Sequence, residues 1–327
     1  MSIKYSLHNI DFKKETIAAE DRIKTVVRET PLEYSPALSK LGECRVYLKL
    51  ENLQKTGSFK LRGAANFVLN LSKKDLDKGV VTVSSGNHAA ALTYLSNQFN
   101  FKGTIYLPEN ASTAKVDTLL DYGADLKFYG TDVGDTEFYA KEIAQKNHQT
   151  FVPPYNHIKI IAGQATVAME LKNQLKEVDV VFAPIGGGGL ASGIASYLKS
   201  VDENIEVIGC LPKNSPVMYE SVKAGRIVEM ESKPTLSDGT AGGIEKDAIT
   251  FEICKKYVDD YILISEDEIK KAIILILEKH YMLIEGAAAL SVASFIKRKE
   301  KFKNKNVVLV ISGKKISLDR LKGILCK

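Results

Sequence analysis

Strand-length apolar runs alternate with longer segments of helical period along most of the chain. RVYLKL (45–50), GVVTVSS (79–85), GTIYLP (103–108), DLKFYG (125–130), TFVPPY (150–155), VDVVFAPIG (178–186), IEVIGCLP (205–212), YILIS (261–265) and NVVLVIS (306–312) read as strands, rich in Val, Ile and Tyr. Several are apolar almost throughout, the pattern of strands covered on both faces. Between them, 87–99, 113–123, 135–147, 163–175, 265–281 and 286–299 carry helical periodicity. In SEDEI, Ser265 stands at a helix start with Glu268 at the capping-box spacing. The alternation predicts an α/β protein built on largely parallel sheets. No repeat, low-complexity tract or flexible linker interrupts it.

Composition narrows the class without naming a function. At 327 residues, with 45% hydrophobic and 26% charged positions, the chain is an ordinary globular protein of one or two domains. No apolar run approaches the ~18–20 residues that a membrane helix needs. The first fifteen residues, MSIKYSLHNIDFKKE, lack an apolar secretory core, so a cytoplasmic protein is expected. Net charge is a modest +5. The densest basic run, KRKEKFKNKN (297–306), reads as a solvated helix end, because no stacking aromatics or nucleic-acid reader motif accompany it. Cys44, Cys210, Cys254 and Cys326 lie far apart, with no metal-ligand spacing, and read as reduced thiols.

Chemistry concentrates where predicted strands give way to helices, the place where open α/β sheets bind ligands. SSGNHAAA (84–91) follows GVVTV, GGGGLASG (186–193) follows VDVVFAPI, and SGKKIS (312–317) follows NVVLVI. Four consecutive glycines, Gly186, Gly187, Gly188 and Gly189, cost conformational entropy. They expose successive backbone N–H groups at a helix N-terminus, which is an anion site; a tight strand-to-helix crossover is the alternative reading. No Gly-Lys-Ser/Thr follows, so the run is not a nucleotide P-loop. KTGSFKLRGA (55–64) places Lys60 between Phe59 and Leu61. Lys60 is either an ordinary surface lysine or a nucleophile whose pKa is lowered in part by Phe59 and the cationic Arg62. The remaining histidines, His8, His148, His157 and His280, have no motif around them.

Taken together, GSFKLRGA, SSGNHAAA, GGGGLASG and the strand ending in Ser-Gly resemble the serine/threonine dehydratase and serine racemase family. These are pyridoxal-phosphate (PLP) enzymes of fold type II, related to tryptophan synthase β. The resemblance covers nearly the whole chain in order, including IAGQATVAMEL (161–171), LSDGTAGG (236–243) and LIEGAAAL (283–290). It implies two interwoven open α/β domains: 1–75 with 156–327 as the large PLP-binding domain, and 76–155 as the small one. It also implies that Lys60 binds PLP covalently and serves as base at the substrate α-carbon. Phe59 should pack on the PLP ring, Asn87 should bond its 3′-hydroxyl, Gly186 to Gly189 should hold its phosphate, and Ser312 should meet its pyridine nitrogen. Ser84, Ser85, Gly86, Asn87 and His88 should receive the substrate carboxylate, with His88 a loop-ordering group or an acid/base.

The implied activity is dehydration and deamination of a small β-hydroxy amino acid, L-threonine or L-serine first. Ser85 stands where serine racemases keep their second acid/base, so racemisation through Lys60 and Ser85 is an alternative; local hydrogen bonding by Ser85 is the plain reading. Racemases bind a divalent cation after the strand matching IEVIGC, but Leu211 and Val217 stand where its acidic ligands would align, so no metal is expected there. The family's Ser-Gly-Gly-Asn is Ser312-Gly313-Lys314-Lys315, which leaves open a different substrate, as in hydroxyectoine breakdown, or a binding protein without activity. The resemblance further implies a homodimer, with neither nucleic acid nor membrane as partner. The sequence ends before the ACT-like regulatory domain of biosynthetic relatives, so isoleucine feedback through such a domain is not expected.

Overall fold

A computed structural model describes Leu7 and residues 10–326. His8 lies outside the described residues. Strands β1 (Leu32–Tyr34), β2 (Arg45–Lys49), β3 (Val80–Val83), β4 (Gly103–Leu107) and β5 (Asp125–Phe128) come first. They are followed by β6 (Thr150–Phe151), β7 (Val180–Pro184), β8 (Glu206–Pro212), β9 (Asp260–Ile264) and β10 (Asn306–Val310). They form a six-stranded sheet of order β1-β2-β10-β7-β8-β9 and a four-stranded sheet of order β5-β4-β3-β6. Every pairing is parallel except β1 with β2.

The near-continuous apolar strands are explained by burial on both faces of the larger sheet. Val180, Phe182, Val307 and Leu309 join one core with helices Glu266–His280 and Gly286–Arg298. Their alternates, Val181, Ala183, Val308 and Val310, join a second core with helices Ile158–Gln174 and Gly189–Val201. The smaller sheet is sandwiched in the same way: Ile105 and Leu107 pack with Ala89, Ala90 and Leu119, while Val81, Val83 and Tyr106 pack with Ala140 and Ala144.

Two departures from the sequence expectation have local causes. TFVPPY yields only the two-residue β6, since Pro153 and Pro154 have no N–H to donate to a ladder. β1 carries too little apolar signal, being part-exposed along its three residues, and forms by pairing Leu32 to Tyr34 with β2. The capping box is formed as expected: Ser265 accepts from the Glu268 N–H and Glu268 bonds back to the Ser265 N–H. The basic run ends a helix, and its charges are largely paired: Lys297 with Glu268, Arg298 with Asp260, Lys303 with Glu43, and Lys305 with Glu206.

Candidate active site

The ends of β3, β6, β7 and β10 deliver their loops to one region, as parallel strands of one polarity must. Lys60 opens the helix Lys60–Val68, with Phe59 as its N-cap residue. Its ammonium donates to the Pro154 carbonyl at 2.8 Å, just past β6, and stands 5.4 Å from the Phe59 ring centroid. Burial lowers its pKa to about 8, and the carboxylate of Glu285 opposes that shift. Lys60 as a residue is half-buried, and its amine is desolvated. Arg62 does not contribute as the sequence suggested. It points away into a fully buried cluster, bidentate to both Glu51 and Glu170, and its charge is spent there.

Ser312 follows β10 and is joined to the lysine segment by the backbone. Phe59 N–H donates to the Ser312 carbonyl at 3.2 Å, and Ser58 bridges Gly313. The asparagine loop arrives from β3: Ser84 Oγ accepts from the Gly86 N–H at 3.1 Å, and helix Asn87–Phe99 begins immediately after. A Cβ at Gly86 would meet nothing within 4 Å, so open space lies against this helix N-terminus. Ser85 is half-buried in the same loop. His88 is buried, and its Nε2–H donates to the Val152 carbonyl at 3.2 Å. Burial first, then the Lys60 charge, depresses its pKa to about 3, so it stays neutral and orders the loop.

The glycine run bridges β7 and helix Gly189–Val201, with Gly188 as N-cap at φ +87°. The run must be glycine because neighbours close on it. A Cβ on Gly187 would come 2.6 Å from the Tyr155 ring, one on Gly186 would come 2.8 Å from Thr240 Cα, and one on Gly188 would come 2.8 Å from Met218 Cε. Tyr155 follows the Pro154 that holds Lys60, so the run and the lysine share a neighbour.

Several polar groups here lack protein partners, as expected where a bound ligand would supply them. Ser312 Oγ, Ser58 Oγ and Asn87 Oδ1 are buried without a hydrogen bond. A hydroxyl at the end of β10, a lysine amine, an asparagine amide and a helix N-terminus opening on glycine N–H groups are the donor set for a phosphorylated pyridine aldehyde.

Comparison with known proteins decides the matter. Residues 23–313 match the family model described as pyridoxal-phosphate dependent enzyme. The chain belongs to this family of PLP enzymes. Among its relatives is the L-threonine ammonia-lyase of Thermotoga maritima, 40% identical over 94% of this chain and 77% of that protein. Threonine deaminase isoform 2 of Solanum lycopersicum superposes with TM-score 0.90 at 32% identity, covering 96% of this chain and 91% of that one. A serine racemase from Dictyostelium discoideum superposes with TM-score 0.85 at 35% identity, over 93% and 98% of the two chains. The fold is therefore PLP fold type II, and PLP is the cofactor.

Within this family frame, the sequence missed one acidic residue. Glu285 lies in the quoted stretch LIEGAAAL, where a lone carboxylate among apolar residues just before a helix was the available signal. It is buried and accepts from Asn87 Nδ2 at 2.9 and 3.2 Å and from the Lys315 N–H at 3.2 Å. Lys315 also sets its ammonium 5.8 Å from the Tyr122 ring centroid, while Lys314 lies exposed across Gly57. Leu211 is buried in β8 and Val217 starts the next helix. No group of three or more His, Cys, Asp or Glu able to hold a metal occurs among the described residues. Nor is any described helix long and apolar enough to cross a membrane.

Proposed function

We propose that this PLP enzyme is a threonine dehydratase: it eliminates water from L-threonine, with L-serine as a second substrate, and hydrolysis of the product returns that water and yields a 2-oxo acid and ammonia. The observation that carries the reading is the desolvated Lys60 amine at the junction of the glycine run, the asparagine loop and the unpartnered Ser312 hydroxyl. The threonine ammonia-lyase and deaminase among its relatives support the choice of reaction.

Bound PLP supplies the electron sink that makes the amino acid's α-proton removable. Lys60, its proton affinity lowered by burial to a pKa of about 8, takes that proton in its neutral form. Gly186, Gly187, Gly188 and Gly189 hold the phosphate through backbone N–H groups and the helix N-terminus. Asn87 would meet the 3′-hydroxyl, Ser312 the pyridine nitrogen, and Phe59 would pack on the ring. Ser84, Ser85, Gly86, Asn87 and His88 form the loop whose helix N-terminus receives the substrate carboxylate. Loss of the α-proton and β-hydroxyl leaves an enamine, which water converts to the 2-oxo acid and ammonia.

The test is direct. Purified protein given L-threonine should release equal amounts of ammonia and 2-oxo acid, and Lys60→Ala should stop both. Unchanged turnover in Lys60→Ala would overturn the assignment. Racemisation is the second reading, favoured by Ser85 in the asparagine loop and by the likeness to a serine racemase. It fails if unreacted substrate gains neither D-isomer nor solvent deuterium at the α-carbon.

The two sheets support a division into a large domain, 1–75 with 156–327, and a small domain, 76–155. We further infer a cytoplasmic homodimer, from the dispersed cysteines and the family likeness; light scattering of the purified protein checks the dimer.

A further inference from the structure

Glu285 occupies the N-cap position of helix Gly286–Arg298 without capping it. Its carboxylate turns instead toward the two loops that flank the cofactor site. Both oxygens accept from Asn87 Nδ2, and Oε2 also accepts from the Lys315 N–H. Its own N–H donates to the Gly313 carbonyl at 3.1 Å. A Cβ on Gly313 would lie 2.5 Å from Glu285 Oε1, so the residue after Ser312 has to be glycine for this carboxylate to fit. Glu285 is thus seated by the segment that carries Ser312 and grips the residue assigned to the 3′-hydroxyl.

An ionised carboxylate can only accept hydrogen bonds, whereas a protonated one carries a donor. Ionised Glu285 therefore fixes the Asn87 carboxamide with its NH₂ group inward and its oxygen turned away. That oxygen is buried and unpartnered. A proton on Glu285 removes one acceptor position and sets an O–H against the NH₂ group.

We propose that Glu285 is a positioning residue for Asn87, orienting its carboxamide toward PLP while ionised and releasing it on protonation. The proposal rests on the PLP reading of Asn87 given above. The groups facing Glu285 are Lys60, Asn87, Asp238 and Lys315. Burial raises the Glu285 pKa to about 7, with Asp238 adding to the shift and the Asn87 and Lys315 bonds opposing it. The release then falls in the neutral range.

The experiment uses the full-chain holoenzyme. The visible absorption of bound PLP and the rate of its release are followed from pH 6 to 8.5 in wild type, Glu285→Gln, Glu285→Asp, Asn87→Ala and the Glu285→Gln/Asn87→Ala pair. Release from wild type should accelerate about tenfold as pH falls through 7, the scale of one charge-assisted hydrogen bond. Glu285→Gln should lose that step, Glu285→Asp should keep it at reduced amplitude, and Glu285→Gln should have no further effect in the Asn87→Ala background. Thermal unfolding of each variant separates a folding defect from lost positioning, since a merely structural loss moves the midpoint without removing the pH step. Bound PLP with a wild-type pH step in Glu285→Gln overturns the proposal, as does an undiminished Glu285→Gln effect without Asn87. Failure to take up PLP at all overturns the cofactor reading and this proposal together.

Discussion

Lys60 is maintained in a state that the fold disfavours when PLP is absent. A lysine whose pKa falls from 10.5 to about 8 binds its proton less tightly folded than unfolded. Stability of the PLP-free protein must then rise with pH between about 8 and 10.5, where the unfolded chain holds the proton and the folded one does not. Below 8 the burial penalty is in force, at most about 3 kcal/mol. Lys60→Met should raise the melting temperature of PLP-free protein at pH 7 while abolishing turnover, a comparison readable by calorimetry. The desolvated histidines give a slope of the same sign at lower pH. Burial lowers His88 to about 3, aided by the Lys60 charge, and His157 to about 4, aided by Lys159. Each stays neutral in the fold while the unfolded chain takes up a proton below 6.5, so stability is lost as pH falls from 6.5 toward those values. The loss is at most about 1.4 kcal/mol per pH unit per group. His88→Gln should flatten the stability curve between pH 6.5 and 5, measured by urea titration; an unchanged slope would refute neutral burial.

At the scale of elements, the site depends on strand-to-helix junctions where side chains would intrude. Gly187 meets the Tyr155 ring and Gly188 has φ +87° with Met218 and Thr250 against it. Gly187→Ala should therefore weaken PLP binding tenfold or more, the effect of about 1–3 kcal/mol of overpacking, measured by equilibrium dialysis of the cofactor. These junctions were legible in the sequence because glycine and serine interrupt apolar strands there. Glu285 and Tyr155 were not, since neither lies in a junction motif. Glu285 matters because helix Gly286–Arg298 sets it against Asn87, 198 residues away in the chain. Arg62 shows the converse. Two residues from Lys60, it seemed a neighbouring charge, but the helix turns it to Glu51 and Glu170.

At the scale of the whole molecule, that buried cluster joins distant segments. Arg62 on the lysine helix, Lys49 of β2, Glu51 just beyond it, and Glu170 of helix Ile158–Gln174 form two positive and two negative charges in contact. Burial disfavours the Arg62 charge, and the two carboxylates more than offset it. Arg62→Met leaves two buried carboxylates facing one lysine and should destabilise by about 3–5 kcal/mol, seen as a lower urea midpoint. By contrast Lys115–Asp238 and Lys141–Glu245, which tie helices of the smaller sheet to the 237–246 loop, are part-exposed. Lys115→Ala should shift stability by less than about 1 kcal/mol.

The sequence by itself determined the α/β class, the strand and helix alternation, and the position of the glycine- and serine-rich loops, because apolar periodicity and glycine placement are local properties. Tertiary structure alone decided how the sheets are ordered and where Arg62 points. It alone brought Glu285, Pro154 and Tyr155 beside the lysine. Those outcomes depend on contacts between segments one to two hundred residues apart, and on burial, which sets the proton affinities of Lys60, His88 and Glu285.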